Sequence, residues 1–217
     1  MEMMRDPYLY PNTEVLKNKF SVIDNEKLNT IEAEYTSTRL KEIMEQPIKG
    51  KFDLDHLCRM HNYIFQDLYD WAGQPRIINI EKSEPVLGGI SIEYSDFQDI
   101  KFMASSVLSR MEEVDWEKFS LDEKAESLSK YMAELWKVHI FREGNTRTIV
   151  TFICQYAESK GFVLDTELFE QNSAYVRSAL VAASAVFKGL GDKSKPQYLV
   201  KIVKDALQRG ESGIKEV

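Results

Sequence analysis

The spacing of apolar side chains predicts a protein built mainly from helices. Asp24 and Asn25 can cap the first helix, and Pro47 and Gly50 end it. The helix that opens near position 145 ends at Lys160-Gly161. Apolar residues recur at intervals of three and four in each of the segments 26–46, 53–71, 95–114, 127–138, 145–160, 166–187 and 196–208.

One stretch has a different pattern, because its β-branched residues come in short runs around turn-forming residues. Ile77, Ile78 and Ile80 precede the turn-prone sequence Lys82-Ser83-Glu84-Pro85, and Ile90 and Ile92 follow a Gly-Gly pair. Such a pattern is typical of a β-hairpin. It is the only convincing β element of the sequence, so we expect an all-α fold with one hairpin.

The loop between the helices at 127–138 and 145–160 carries the candidate chemistry. His139 can take up a proton near neutral pH. Glu143 is a carboxylate of the kind that holds Mg²⁺ beside phosphates. Gly144 and Asn145 precede a helix whose first N–H groups are unpaired and suit an anion, and Arg147 adds a planar donor group.

Each of these residues also has a purely structural interpretation. A histidine at a helix end is often a cap or a core residue, and a Gly-Asn pair is often only a helix terminator. Glu143 and Arg147 have the spacing of a solvated ion pair on a helix. The combination at this spacing nevertheless predicts a site for phosphate transfer.

The sequence His-x-Phe-x-Glu-Gly-Asn-x-Arg at positions 139–147 closely resembles the signature of the Fic family. The resemblance implies the Fic fold, a helical bundle with one β-hairpin flap, and transfer of AMP from ATP to a Tyr, Thr or Ser hydroxyl of a target protein. It implies Mg²⁺ as the cofactor and ATP as the co-substrate. By resemblance the site consists of His139 as the catalytic base, Glu143 as the metal ligand, and Lys82, Ser83, Gly144, Asn145, Arg147 and Tyr175 around the nucleotide.

Two further stretches extend the resemblance. Residues 61–65 and 69–76 are similar to the scaffold helix that precedes the flap in Fic proteins, where the flap holds the target as an added strand. The arm at 6–13 is similar to arms of bacterial Fic toxins that pair with a small separate antitoxin. We therefore expect an N-terminal arm at 1–23, a Fic domain at 24–190, and a C-terminal helix and tail at 191–217.

The chain departs from the family pattern at two positions. Ile140 replaces a common proline, and Val150 stands where many members carry a second arginine for the γ-phosphate. Residues 30–34 and 212–216 have the spacing of the family's inhibitory helix but lack its Gly or Asn, so we favour control by a separate antitoxin. Two alternatives stay open. One is a Doc-like kinase on the same fold, which Gly144-Asn145 disfavours, and the other is a nucleotide-binding module without turnover, which Val150 leaves possible.

Composition sets the remaining expectations. A chain of 217 residues with 43% hydrophobic residues is typical of one globular domain, and a net charge of −7 argues against nucleic acid or an anionic membrane as partner. Cys58 and Cys154 in apolar contexts, without a signal peptide or a long apolar run, favour the cytoplasm, with export by a non-Sec route left open. His56, Cys58 and His61 do not share a helix face, which disfavours a metal site there. The oligomeric state is not predicted.

Overall fold

The computed structural model describes residues 6–215, and most of them are helical. A two-stranded antiparallel sheet pairs Val186 with Asp192 and Phe187 with Gly191. The predicted helical class is therefore confirmed. In chain order the elements are α1 (Asn25–Glu45), α2 (Leu54–Phe65), α3 (Ile100–Glu112), α4 (Leu121–Val138), α5 (Asn145–Ser159), α6 (Thr166–Gln171), α7 (Ser173–Ala183), β1 (Val186–Phe187), β2 (Gly191–Asp192) and α8 (Gln197–Lys215).

Helix α4 lies at the centre and packs against α3, α5, α7 and α8. Its buried side chains include Leu128, Met132, Leu135 and Trp136, which recur at the spacing of one helical face. The helix begins at Leu121, earlier than predicted, because Ser120 and Glu123 form a reciprocal capping box. This central helix delivers its last residues, Val138 and the cap His139, to the middle of the molecule.

Several predicted helix boundaries were wrong, although each helix exists. Helix α2 ends at Phe65, and the chain then turns through Gly73, which has a φ of +78°. The apolar rhythm continues past the helix because Leu68 and Tyr69 are buried in the turns. The segment predicted as one helix at 166–187 is broken at Asn172 between α6 and α7, and α8 continues to Lys215.

The hairpin prediction for residues 77–92 was wrong in its position. We call residues 77–95 the flap segment; it contains one turn of 3-10 helix, Pro85–Leu87, and no strand. Its two limbs are joined by a side chain, since the Lys82 N–H donates to Ser91 Oγ at 3.0 Å. The two-residue strands β1 and β2 were missed because they are too short to show alternation.

The N-terminal arm, which the structure describes from Asp6 onward, packs on the turn after α2. Leu9 and Leu16 form an isolated antiparallel bridge, and the Lys19 N–H donates to the Leu68 carbonyl. Tyr8 packs edge-on against Trp71, with ring centroids 5.4 Å apart. Among residues 6–215, no helix is long and apolar enough to cross a membrane. The expected division at 23 and 190 stays a prediction.

Candidate active site

The loop between α4 and α5 is held in a single shape by its own side chains. His139 caps α4 in the left-handed region, with φ of 51°, and Gly144 precedes α5 with φ of 79°. The Asn145 side chain closes the loop, accepting from the Phe141 N–H at 2.9 Å and donating to the Phe141 carbonyl at 2.7 Å. The side chain of Asn145 thus shapes the loop from within, and the first backbone N–H groups of α5 have no partner inside the helix.

His139 is buried and has no hydrogen-bond partner on either ring nitrogen among the described residues. Tyr94 of the flap segment covers its ring at a centroid distance of 4.0 Å, and Trp136 meets it edge-on at 5.3 Å. Burial lowers the pKa of His139 well below its usual value, and the positive charge of Lys82 lowers it further. The imidazole is therefore neutral at physiological pH and able to accept a proton.

Glu143 faces the flap segment from the other end of the loop. Its Oε2 accepts from Lys82 Nζ at 2.9 Å, and its Oε1 accepts from the Gly144 N–H at 3.0 Å. Burial alone would raise the pKa of this carboxyl, but Lys82, the Gly144 N–H and Arg147 together lower it to about 2. A carboxylate that is ionised at neutral pH and still partly exposed has the properties of a ligand for a hard divalent cation.

Arg147 is turned toward helix α1. Its guanidinium donates to Glu32 and to Thr36 Oγ1, and it lies over the Phe65 ring at 4.8 Å. Tyr69 donates its hydroxyl to the same Glu32 carboxylate. Arg147, in the first turn of α5, therefore binds α1. The sequence did not predict this contact.

The remaining predicted residues lie at different distances from the loop. Lys82 reaches it through Glu143, whereas Ser83 is exposed on the flap segment and makes no side-chain hydrogen bond among the described residues. Tyr175 is 41% exposed on α7 and donates to the Tyr198 carbonyl of α8. The geometry does not bring Ser83 or Tyr175 against His139.

An ion pair between the flap segment and α7 was missed at the sequence level. Glu84 is fully buried and accepts two hydrogen bonds from Arg177, at 2.8 and 3.0 Å. Tyr94 also donates to Glu84, at 3.3 Å. This contact holds the flap segment against α7, and no sequence signal links residues that lie 93 positions apart.

His61 of α2 supports the loop by contacts with Glu143 and Phe141. Its Nδ1 accepts from the Gly73 N–H at 2.8 Å, so Nε2 carries the proton and donates to the Glu143 carbonyl at 3.0 Å. The ring stacks on Phe141 at 3.8 Å. Burial lowers the pKa of His61 to about 3, so it stays neutral and acts through its hydrogen bonds.

The N-terminal arm also contacts the loop. Asp6 Oδ2 accepts from Arg142 at 2.8 and 3.0 Å, and the Tyr8 hydroxyl accepts from the Ile77 N–H at the base of the flap segment. Arg142 immediately precedes Glu143 in the chain. The arm therefore contacts both parts of the structure that surround His139.

Two clefts border the site. One of about 1150 Å³ lies between the flap segment, α3 and the end of α4, and Tyr94 and Val138 are among its walls. The other, of about 650 Å³, lies between α1, α5, α6 and α7 and includes Arg147 and Val150. Each cleft therefore reaches the loop or a residue next to it, since Val138 precedes His139 and Arg147 belongs to the motif.

A bundle of helices around a loop with a buried histidine, an ionised glutamate and a helix N-terminus defines a Fic-type domain, and comparison with known proteins agrees. The sequence profile of the Fic/DOC family matches residues 51–157. The chain is 32% identical over 171 residues to the probable protein adenylyltransferase y4lH of Sinorhizobium fredii, covering 77% of this chain and 83% of that protein. The chain belongs to the Fic/DOC family, as the sequence motif indicated.

Other relatives support the same assignment. The protein adenylyltransferase VbhT of Bartonella schoenbuchensis is 32% identical over 78% of this chain, which spans 34% of the length of VbhT. Among solved structures, BepC of Bartonella tribocorum with bound AMPPNP has a TM-score of 0.76 at 21% identity, with 92% of this chain and 95% of that chain covered. The structural likeness supports the fold.

Proposed function

We propose that this protein is an adenylyltransferase that moves AMP from ATP to a hydroxyl side chain of a target protein. The observation that carries the proposal is the loop itself, which brings a neutral buried histidine, an ionised glutamate and the start of α5 together within residues 139–147. Curated relatives of the chain are named protein adenylyltransferases, which favours this reaction over other uses of the same groups.

The reaction is a direct displacement. His139 accepts the proton of the target hydroxyl as that oxygen forms a bond to the α-phosphorus of ATP. The bond between the α-phosphorus and the bridging oxygen to the β-phosphate breaks, and pyrophosphate leaves. No covalent enzyme intermediate is needed, so positioning and electrostatics supply the catalysis.

The chain's own groups hold the phosphates. The unpaired N–H groups at the start of α5 and the Lys82 ammonium lie beside Glu143, where positive charge favours an anion. The ionised Glu143 carboxylate suits Mg²⁺, which would offset charge on the leaving pyrophosphate when bound. Arg147 is held by Glu32 at the start of α5, where its positive charge also favours an anion.

We assign each proposed partner to one of the two clefts. A target segment would lie along the flap segment, in the cleft lined by Tyr94 and Val138 next to His139. A small antitoxin would dock in the cleft lined by Arg147 and Val150. The candidate inhibitory spacing at 30–34 is not supported, since Glu34 is exposed and it is Glu32 that contacts Arg147. The spacing at 212–216 ends outside the described residues. The cytoplasm is the location we propose.

The decisive test is the intact mass of the purified chain after incubation with Mg²⁺ and ATP, with and without candidate target proteins. Transfer adds about 329 Da per AMP, and His139→Ala should reduce it by about 10²- to 10⁴-fold while the protein stays folded. Equal labelling by wild type and His139→Ala would overturn the assignment.

Isotope position separates the alternatives. Label transferred from α-³²P-ATP supports AMP transfer, whereas label from γ-³²P-ATP alone supports a Doc-like kinase. ATP binding without either label supports a nucleotide-binding module, which the absence of a guanidinium at Val150 makes the main competitor.

A further inference from the structure

Arg76 is a buried cation that the proposed reaction does not use. Its side chain is 2% exposed and forms no ion pair among the described residues. Burial lowers the pKa of its guanidinium. A charge without a carboxylate partner is costly inside a protein unless its donors are satisfied, so the acceptors of Arg76 indicate what it does.

Those acceptors are almost all backbone carbonyls, and they belong to three separate stretches. Nε donates to the His139 carbonyl at 2.8 Å, Nη1 donates to the Ile78 carbonyl, and Nη2 donates to the Ser95 carbonyl. Ile78 and Ser95 lie at the two ends of the flap segment. One guanidinium therefore joins the cap of α4 to both ends of the segment that covers it.

The contact with His139 falls on a strained residue. His139 has a φ of 51°, in the left-handed region that side chains other than glycine rarely adopt. Its N–H donates to the Trp136 carbonyl, and its carbonyl is fixed by Arg76 Nε. The Arg76 N–H adds a bond to the Ile140 carbonyl at 2.8 Å, so both carbonyls around this bend are held by one residue.

The contact with Ser95 fixes the backbone next to Tyr94, the residue whose ring covers His139. Ser95 follows Tyr94, whose ring lies 4.0 Å from that of His139. Arg76 thus holds the backbone beside each of the two rings. The planar group with five donors can do this, whereas the single ammonium of lysine cannot reach all the carbonyls at once.

We propose that Arg76 is a positioning residue for the transfer reaction, which orients the His139 imidazole and sets how the flap segment closes over it without touching the substrate. The inference rests on the proposed function for its catalytic consequence. Its structural part, the orientation of the His139 ring, holds independently and has its own readout.

The test compares Arg76→Lys with Arg39→Lys in the full chain. Arg39 is a matched control because its guanidinium also makes several hydrogen bonds, to Asp67 and Glu42, neither of which belongs to the loop or the flap segment. We expect Arg76→Lys to lower kcat at least tenfold, with KM for ATP within about threefold of wild type, because ATP contacts are untouched. Arg39→Lys should leave kcat unchanged.

A second readout does not need activity. In protein labelled with ¹³C-histidine, the His139 ring resonance should shift in Arg76→Lys and stay in place in Arg39→Lys. If wild type transfers no AMP but this shift occurs, the proposed function fails and the positioning role stands. Wild-type kcat together with an unmoved His139 resonance in Arg76→Lys would overturn the proposal.

Chemical rescue covers the case in which lysine disturbs the fold. Arg76→Ala leaves a buried space of guanidinium shape, so methylguanidinium should restore kcat in this variant and not in His139→Ala. Failure of rescue in a folded Arg76→Ala protein would contradict the proposal. If neither Arg76 variant folds, the residue holds the whole domain together and the specific positioning role is wrong.

Discussion

Tyr94 and His139 lie ring against ring, with their centroids 4.0 Å apart and their planes inclined by 33°. The tyrosine belongs to the flap segment and the histidine to the cap of α4, so their contact joins the two halves of the site. Because His139 is 3% exposed, a target hydroxyl reaches it only when the flap segment moves. The flap segment is thus closed over the proposed base in this structure.

Removing the tyrosine ring should restore an ordinary pKa to His139. Burial is the largest cause of its lowered pKa, so Tyr94→Ala should raise that pKa toward the usual value near 6.5 by admitting water. Titration of the histidine ring protons by NMR measures the change. Tyr94→Phe keeps the ring and is the control; a Tyr94→Ala profile that matches it would contradict the explanation.

Gly144 should tolerate no side chain. An added Cβ would overlap the Phe65 ring, which is fully buried beneath Arg147, and alanine would also be strained at φ of 79°. Backbone strain of about 1 kcal/mol and overpacking of about 1–3 kcal/mol should together lower the free energy of unfolding by about 2–4 kcal/mol. Urea unfolding measures it.

Gly161 provides a matched control for that substitution. It has a similar φ of +85°, and a Cβ there would meet no heavy atom within 4 Å. Gly161→Ala should therefore cost only the backbone strain, about 1 kcal/mol. Equal losses for Gly144→Ala and Gly161→Ala would mean that Phe65 yields to the added methyl group.

The Lys82–Glu143 pair should make stability depend on acid. Since the pKa of Glu143 is lowered to about 2 from a usual value of 4.5, its stabilising contribution is complete above pH 4.5 and is lost as pH falls toward 2. Lys82→Met removes the nearest charge that lowers this pKa, so the variant should lose less stability than wild type over that window. The free energy of unfolding, measured from pH 5.5 to 2.5, tests this.

An exposed ion pair serves as the comparison for Lys82. Lys118 contacts Asp115 on the surface, where both side chains are more than half exposed. Lys118→Met should leave the acid dependence of stability as in wild type, because water already screens that pair. If the free energy of unfolding of wild type and of Lys82→Met fell equally with pH, Lys82 would not be what lowers the pKa of Glu143.

Restoring a guanidinium at position 150 should strengthen ATP binding. Val150 is only partly buried in the cleft that contains Arg147, so a longer side chain has room. A charge-assisted hydrogen bond to phosphate contributes about 1.5–3 kcal/mol, which corresponds to roughly 10- to 100-fold in Kd. Calorimetric titration of Val150→Arg with Mg²⁺-ATP measures this, and Val150→Met controls for side-chain length. No gain over Val150→Met would place the phosphates out of reach of this position.

The sequence predicted the helix ends that carry a recognised cap or terminator. Predictions were wrong where such a signal was overlooked or where residue type alone was used. Asp24 caps α1 as expected, and Lys160 and Gly161 end α5. The start of α4 was missed even though Ser120 and Glu123 have the spacing of a capping box, because the helix was predicted from apolar spacing over 127–138 alone. In the flap segment, β-branched residues alone predicted strand pairing that the structure does not have.

The candidate site was predictable only as far as it is local in sequence. His139, Glu143 and Gly144 meet in one loop, and their spacing alone indicated it. Glu32, Arg76 and Arg177 were not assigned to it, since each comes from a distant part of the chain. The orientation of Arg147 toward α1 follows from such a contact and could not be inferred from the motif.

The contacts of the loop and of the flap segment also bear on the order in which the site would form during synthesis. Arg142 meets Asp6 across 136 positions of the chain, Arg147 meets Glu32 across 115, and Glu84 meets Arg177 across 93. Contacts between such distant residues form late in folding, because the chain must first close long loops. A nascent chain that ends before α7 lacks the partner of Glu84, so a ribosome-bound fragment would carry the whole histidine loop under a loosely held flap segment. The closed arrangement of the flap segment over His139 would therefore form only after α7 has been synthesised.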